Sequence, residues 1–222
     1  QINFIKINMM QKDLIDKVEE ILKTEIREDA KKGELAYLAL TSKIEQNLRD
    51  RLAVSLQLGE FNNEIVVSRE YPRGDFSDSQ KGGRIDLVLF SKGKKPILFL
   101  EFKACYSFDL IKSNNSDEYI VAVRKDMIKS LEVQPEVPMY SILFITHPLE
   151  FISNDFSKVI KYEAAVNRYL KLHKEKEIIK NAELKLKSSF EGVHFGSIIE
   201  NDSALDQRVS LFYGIIKKQL KK

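Results

Sequence analysis

Two apolar runs, Arg84-Ile85-Asp86-Leu87-Val88-Leu89-Phe90 and Pro96-Ile97-Leu98-Phe99-Leu100-Glu101-Phe102-Lys103, stand five polar residues apart, and no feature of the chain restricts its fold more. Runs of this length, rich in β-branched and aromatic residues and joined by Ser-Lys-Gly-Lys-Lys, predict an antiparallel hairpin. The antiparallel arrangement brings the start of the first run beside the end of the second. Asp86 then lies near Glu101 and Lys103, and a register that places them on neighbouring positions of one face is easily built.

The surrounding periodicity predicts a mixed sheet covered by helices on both sides. Leu14, Ile15, Val18, Ile21, Leu22 and Ile26 recur at helical spacing, and a longer helix is expected from Glu34 to Leu58, stopping near Gly59. Its apolar stripe, Leu38, Leu48, Leu52 and Leu56, is interrupted by Glu45. Seven positions from both Leu38 and Leu52, Glu45 falls about 20° from each on a helical wheel and so points toward whatever the stripe packs against. Strands are expected at Glu64 to Glu70 and Tyr140 to Thr146, with a loop from Pro72 to Gly83 and a helix near Tyr119 to Leu131. A helix from Val159 to His173, a strand around Val193 to Ile199 and a final helix from Leu205 to Leu220 complete the outline.

A chain of 222 residues, 43% hydrophobic and 31% charged, has the balance of one globular domain over residues 1–222, with the motifs inside 34–146 and further elements in 147–222. No stretch approaches the roughly 20 apolar residues of a membrane span, and Gln1 to Met10 lacks the pattern of a signal peptide. With a single Cys105, which excludes an intrachain disulfide, the expected location is cytoplasmic. The formal charge of +3 is too small to diagnose a polyanion partner. Between Lys158 and Phe190, however, nine basic residues face four acidic ones, either a phosphate-binding surface or a solvated helix.

Three ionisable groups at the ends of two hydrophobic strands cost desolvation energy unless they are paired or neutralised by a metal. Asp86, Glu101 and the Phe102 carbonyl form a hard oxygen set suited to Mg²⁺, with Mn²⁺ able to substitute. Such an ion binds a phosphate oxygen and acidifies water, while Lys103 orients that water or offsets charge in the transition state. An ordinary exposed ion pair is the competing reading of any one of these residues.

An acid on a helix, an Asp opening a strand and Glu-x-Lys closing the next one resembles the PD-(D/E)xK nuclease superfamily, which includes many type II restriction endonucleases. The matching residues are Glu45, Asp86 in Arg-Ile-Asp-Leu-Val-Leu, and Glu101-Phe-Lys103. Ile85 stands where Pro often precedes the Asp. The resemblance implies a restriction-endonuclease-like three-layer α/β/α fold with a central mixed sheet. It also implies Asp86 and Glu101 as metal ligands, Lys103 as the catalytic amine, and Glu45 as an accessory ligand or water positioner.

Glu34, eleven positions before Glu45 and on nearly the same helical face, rivals Glu45, and Glu70 is another alternative. Arg69, Arg73, Lys81 and Arg84 are candidate phosphate contacts, the first three in or beside a loop able to bend around a duplex. His147 is expected to be structural or on the surface, and three scattered histidines without cysteine partners argue against zinc. Gly82-Gly83 lacks the Gly-Lys-Ser or Gly-Lys-Thr ending of a nucleotide loop. The expected activity is Mg²⁺-dependent cleavage of double-stranded DNA, with a homodimer suited to cutting both strands of a palindromic site. A non-catalytic nucleic-acid-binding or protein-interaction module on the same fold is the alternative.

Overall fold

The computed structural model describes residues 12–76, 83–111, 117–131 and 134–217. Six strands form one mixed sheet: β1 (Ile65–Pro72), β2 (Arg84–Ser91), β3 (Pro96–Tyr106), β4 (Met139–Pro148), β5 (His194–Ala204) and β6 (Gln207–Lys217), ordered β1-β2-β3-β4-β6-β5. The expected hairpin is present, with β2 and β3 antiparallel. Only β3 and β4 run parallel, joined by a crossover that contains a helix.

The sheet is covered on both faces because its central strands are apolar on both. Leu87, Leu89, Leu98, Leu100 and Phe102 pack against the amino-terminal helices: α1 (residues 12–29), α2 (Glu34–Thr41) and α3 (Glu45–Leu58). Helix α1 passes through a π-helical turn at Ile21–Glu25, where the Ile26 N–H reaches back to the Ile21 carbonyl. On the other face Val88 and Phe99 meet Val123 and Met127 of α4 (Glu118–Leu131). Helix α5 (Glu163–Leu172) joins the first layer through Val166, and α6 (Glu175–Ser189) joins the second through Ala182 and Leu186.

The single helix expected from Glu34 to Leu58 is two helices. Thr41 Oγ1 donates to the Tyr37 carbonyl at 2.7 Å and Ser42 Oγ to the Leu38 carbonyl at 2.9 Å, and Ser42 then turns extended (φ −144°, ψ 172°). Two adjacent hydroxyls that satisfy the last carbonyls compete with the backbone ladder at this point. The break moves Glu45 from mid-helix to the first residue of α3.

Of the final helix expected from Leu205 to Leu220, Gln207–Lys217 is instead β6, an interior strand between β4 and β5, and residues 218–220 lie outside the described set. Val209, Leu211, Tyr213 and Ile215 fill one face and Ile216 the other, so no two-residue alternation was visible. The turn that precedes it carries positive φ at both Leu205 (54°) and Asp206 (53°), a primed hairpin turn built without the usual Asn or Gly. Helix α6 had no counterpart in the sequence outline. The loop expected from Pro72 to Gly83 begins as a 3-10 turn, Arg73–Phe76, and residues 77–82 lie outside the described set.

Candidate catalytic site at the parting of two strands

Strand β2 stays with β1 as far as the Pro72–Arg84 pair, and β3 stays with β4 as far as Tyr106–Thr146, whereas the β2–β3 pairs run only from Phe90–Pro96 to Leu87–Leu100. Beyond that point the two strands part. The N–H groups of Phe102 and Ala104, which face the gap, are taken by carboxylates: Phe102 N–H donates to Asp86 Oδ2 at 2.7 Å, and Ala104 N–H donates to Glu45. A strand residue points its N–H and C=O the same way, so the Phe102 carbonyl also faces the gap.

The antiparallel registers extend this cluster. One step past Leu87–Leu100 sets Asp86 across from Glu101, and the Arg69–Leu87 and Tyr71–Ile85 pairs bracket Glu70 opposite Asp86. Three acids on adjacent strands repel one another unless cations intervene. Arg49, one helical turn after Glu45 on α3, pairs with Glu70 and lies 3.9 Å from Asp86 Oδ1. Glu70 holds its position with φ at 53°, a strained conformation for a non-glycine residue inside a strand.

Glu101 is the most deeply buried of these acids, 3% exposed, and receives Arg73 Nη2 at 2.7 Å. Burial, reinforced by the nearby Asp86 charge and only partly opposed by Arg73, pushes its carboxyl up to about 8. Glu45 is shifted the same way, burial again leading, with Lys103 opposing and Asp86 adding to the rise. Lys103 Nζ lies 2.8 Å from Asp126 Oδ2 on α4. Burial pulls the ammonium down, but its hydrogen bond to Asp126 and the charges of Asp126, Glu45 and Asp86 outweigh that and raise it.

The structure therefore brings Glu45, Asp86, Glu101 and Lys103 into one cluster. Among the described residues, no three acids, histidines or cysteines form a ready-made cation cage; Glu101 is paired with Arg73 and Lys103 with Asp126. Comparison with family profiles, with curated proteins and with solved structures finds no match to this chain. The functional reading therefore rests on the residues alone.

Several other expectations need correction or placement. Arg73 is not on a phosphate-facing surface: it is buried against Glu101, and its backbone N–H ties to the Gly83 carbonyl. Arg69 is exposed and pairs with Asp50 at 3.1 Å, Arg84 is exposed at the start of β2, and Lys81 lies outside the described residues. Glu34 is held away from the cluster by Arg51 and the Lys31 N–H. His147 is a buried core residue whose Nδ1 meets Ser107 Oγ at 2.8 Å, and burial lowers it to about 4.

Sequence reasoning missed Arg49, Asp126 and the pairing role of Arg73. Two of these left a signal. Arg49 follows Glu45 at the four-residue spacing of one helix face, and Asp126 interrupts the apolar face formed by Ile120, Val123 and Met127. If the cluster is a metal-dependent catalytic site, Glu45→Gln is expected to reduce turnover about tenfold or more, and Glu34→Gln to change it less than about twofold. Steady-state cleavage by the two variants checks this, and a larger loss from Glu34→Gln would remove Glu45 from the accessory role.

Proposed function

We propose that the chain is a divalent-metal-dependent endonuclease of the PD-(D/E)xK type, with a restriction-endonuclease-like core, that hydrolyses phosphodiester bonds of double-stranded DNA. The observation that carries this reading is the convergence of Glu45, Asp86, Glu101 and Lys103 where β2 and β3 part. The chemistry of the donors supports it: Glu45, Asp86 and Glu101 are carboxylates gathered beside the Phe102 carbonyl, and burial, with the Asp86 charge adding, holds the Glu101 carboxyl up at about 8. A doubly charged hard cation matches these oxygen donors.

Asp86, Glu101 and the Phe102 carbonyl would hold a Mg²⁺ or Mn²⁺ ion, which would supply Lewis acidity toward a phosphate oxygen and the attacking water. The protein's own groups do the rest. Lys103 offsets the negative charge that grows on the phosphorane oxygens, and Glu45, at the first turn of α3, accepts a hydrogen bond from the attacking water. Arg49 and Arg73 hold the neighbouring carboxylates in place against their mutual repulsion.

One observation favours a second reading, a non-catalytic binding module: Glu101 and Lys103 already have partners inside the protein. A titration of Mg²⁺ and Mn²⁺ against supercoiled and linear DNA, with Asp86→Asn as control, separates the two. We expect cleavage only with a divalent ion, loss of cleavage with EDTA, and a drop of about 10²-fold or more in the control. Nicked against linear plasmid product reports whether one strand or both are cut. Binding of DNA or RNA without cleavage under any metal would instead establish the binding module.

A further inference from the structure

Asp126 belongs to neither the strand motif nor the helix motif, yet it reaches the candidate amine from the opposite layer. It lies on α4 within the buried face formed by Ile120, Val123 and Met127 and is itself only 8% exposed. Its Oδ2 is 2.8 Å from Lys103 Nζ, and its charge also reaches Glu101. A carboxylate on the packed face of a helix costs desolvation energy, and an apolar residue of similar volume would pack there at no such cost. Its placement is accounted for by what it touches.

We propose that Asp126 is a positioning residue of the site: it fixes the Lys103 ammonium between the α4 layer and the gap, in the orientation needed to meet a phosphodiester. The proposal rests on the nuclease reading. Lys103 is a long side chain with four rotatable bonds, and where β2 has parted from β3 its head group has a wide choice of positions. On the sheet side the charges of Glu45 and Asp86 also act on it, but more weakly than Asp126, and both carboxylates already accept from backbone N–H groups. Asp126 supplies the competing partner on the far side. It leaves Asp86 with the Phe102 N–H and Glu45 with the Ala104 N–H, so that the oxygen donors stay directed at the gap.

The test compares wild type with Asp126→Asn and Asp126→Glu by two independent readouts. The first is the rate at which a small acylating reagent modifies Lys103 in the metal-free protein, followed by peptide mass spectrometry. We expect Asp126→Asn to raise it about threefold or more and Asp126→Glu to restore it, since only the charged partners hold the amine. The second is Mn²⁺-dependent cleavage, where Asp126→Asn should lower kcat about tenfold or more with KM for DNA within about twofold, and Asp126→Glu should recover part of the loss. Circular dichroism establishes that each variant is folded, and Asp126→Glu keeps the proposal testable if Asp126→Asn is not. Unchanged Lys103 labelling in Asp126→Asn overturns the proposal, as does faster labelling with undiminished turnover. If the wild type cleaves nothing, the nuclease reading fails by itself, and the labelling result alone decides whether Asp126 holds the amine.

Discussion

On the proposed nuclease reading, Lys103→Ala is expected to lower cleavage by roughly 10²- to 10³-fold while leaving Mn²⁺ binding and duplex binding within a few-fold of wild type, because the amine would act on charge that exists only in the transition state. The same change removes the Lys103–Asp126 ion pair, so stability should also fall, by about 1–3 kcal/mol for a partly exposed pair. The two losses can be separated. Lys103→Met combined with Asp126→Asn removes both charges and should recover much of the stability but none of the turnover. Single-turnover cleavage together with urea denaturation of both variants checks this. Lys103→Ala with turnover near wild type would remove the amine from the mechanism, and recovery of turnover in the double variant would show that the amine had mattered only for folding.

The second large effect is a stability that depends on pH through Glu101. Its folded carboxyl is raised to about 8 from an ordinary value of 4.5, so between those limits the folded chain holds a proton that the unfolded chain releases. Stability falls as pH rises across that window and levels off above it, by on the order of a few kcal/mol in all. Glu45, raised by burial, contributes with the same sign. His147 acts oppositely: lowered to about 4 from 6.5, it favours folding as pH rises between those two values and is silent above them. The clean interval is therefore pH 6.5 to 8, measured in EDTA by urea denaturation. Wild type should lose stability across it and Glu101→Gln should be nearly flat, because the glutamine has no proton to release. Equal slopes in the two proteins would mean that Glu101 does not carry the proton. If Glu101 is a metal ligand as proposed, saturating Mn²⁺ should flatten the wild-type slope as well, because the cation would replace the proton.

The hairpin that carries Asp86, Glu101 and Lys103 is marked by local strand and turn chemistry, and this makes much of the site legible in the sequence. The turn Ser91-Lys92-Gly93-Lys94-Lys95 is short and the runs on either side are apolar, so the antiparallel pairing of β2 with β3 and the nearness of Asp86 to Glu101 follow from local chemistry. Glu45 was visible as an acid in an apolar stripe, and the helix-covered mixed sheet followed from the alternation of strand and helix periods. Local pattern was insufficient where the deciding interactions are distant. Strand β6 is apolar on both faces because β4 and β5 flank it, which removes the period that distinguishes strand from helix, and Leu205-Asp206 makes its turn without a recognisable turn sequence. The break at Ser42 depends on hydroxyls whose choice between solvent and backbone carbonyl the sequence leaves open.

What the sequence determined by itself is the inventory of the site and its placement at one end of a hairpin: two acids and an amine at the ends of apolar strands, with a helix acid nearby. What only the tertiary structure decided is which charge faces which. Arg73 is adjacent to a glycine in the chain and reads as a surface cation, but it is buried against Glu101, and Asp126 comes from another layer to meet Lys103. Hydrophobic periodicity reports which face of an element is buried, whereas ion pairing within that buried face depends on side chains brought together from α3, β1, β2, β3 and α4. Their distances are set by how the layers pack, and no spacing along the chain records them.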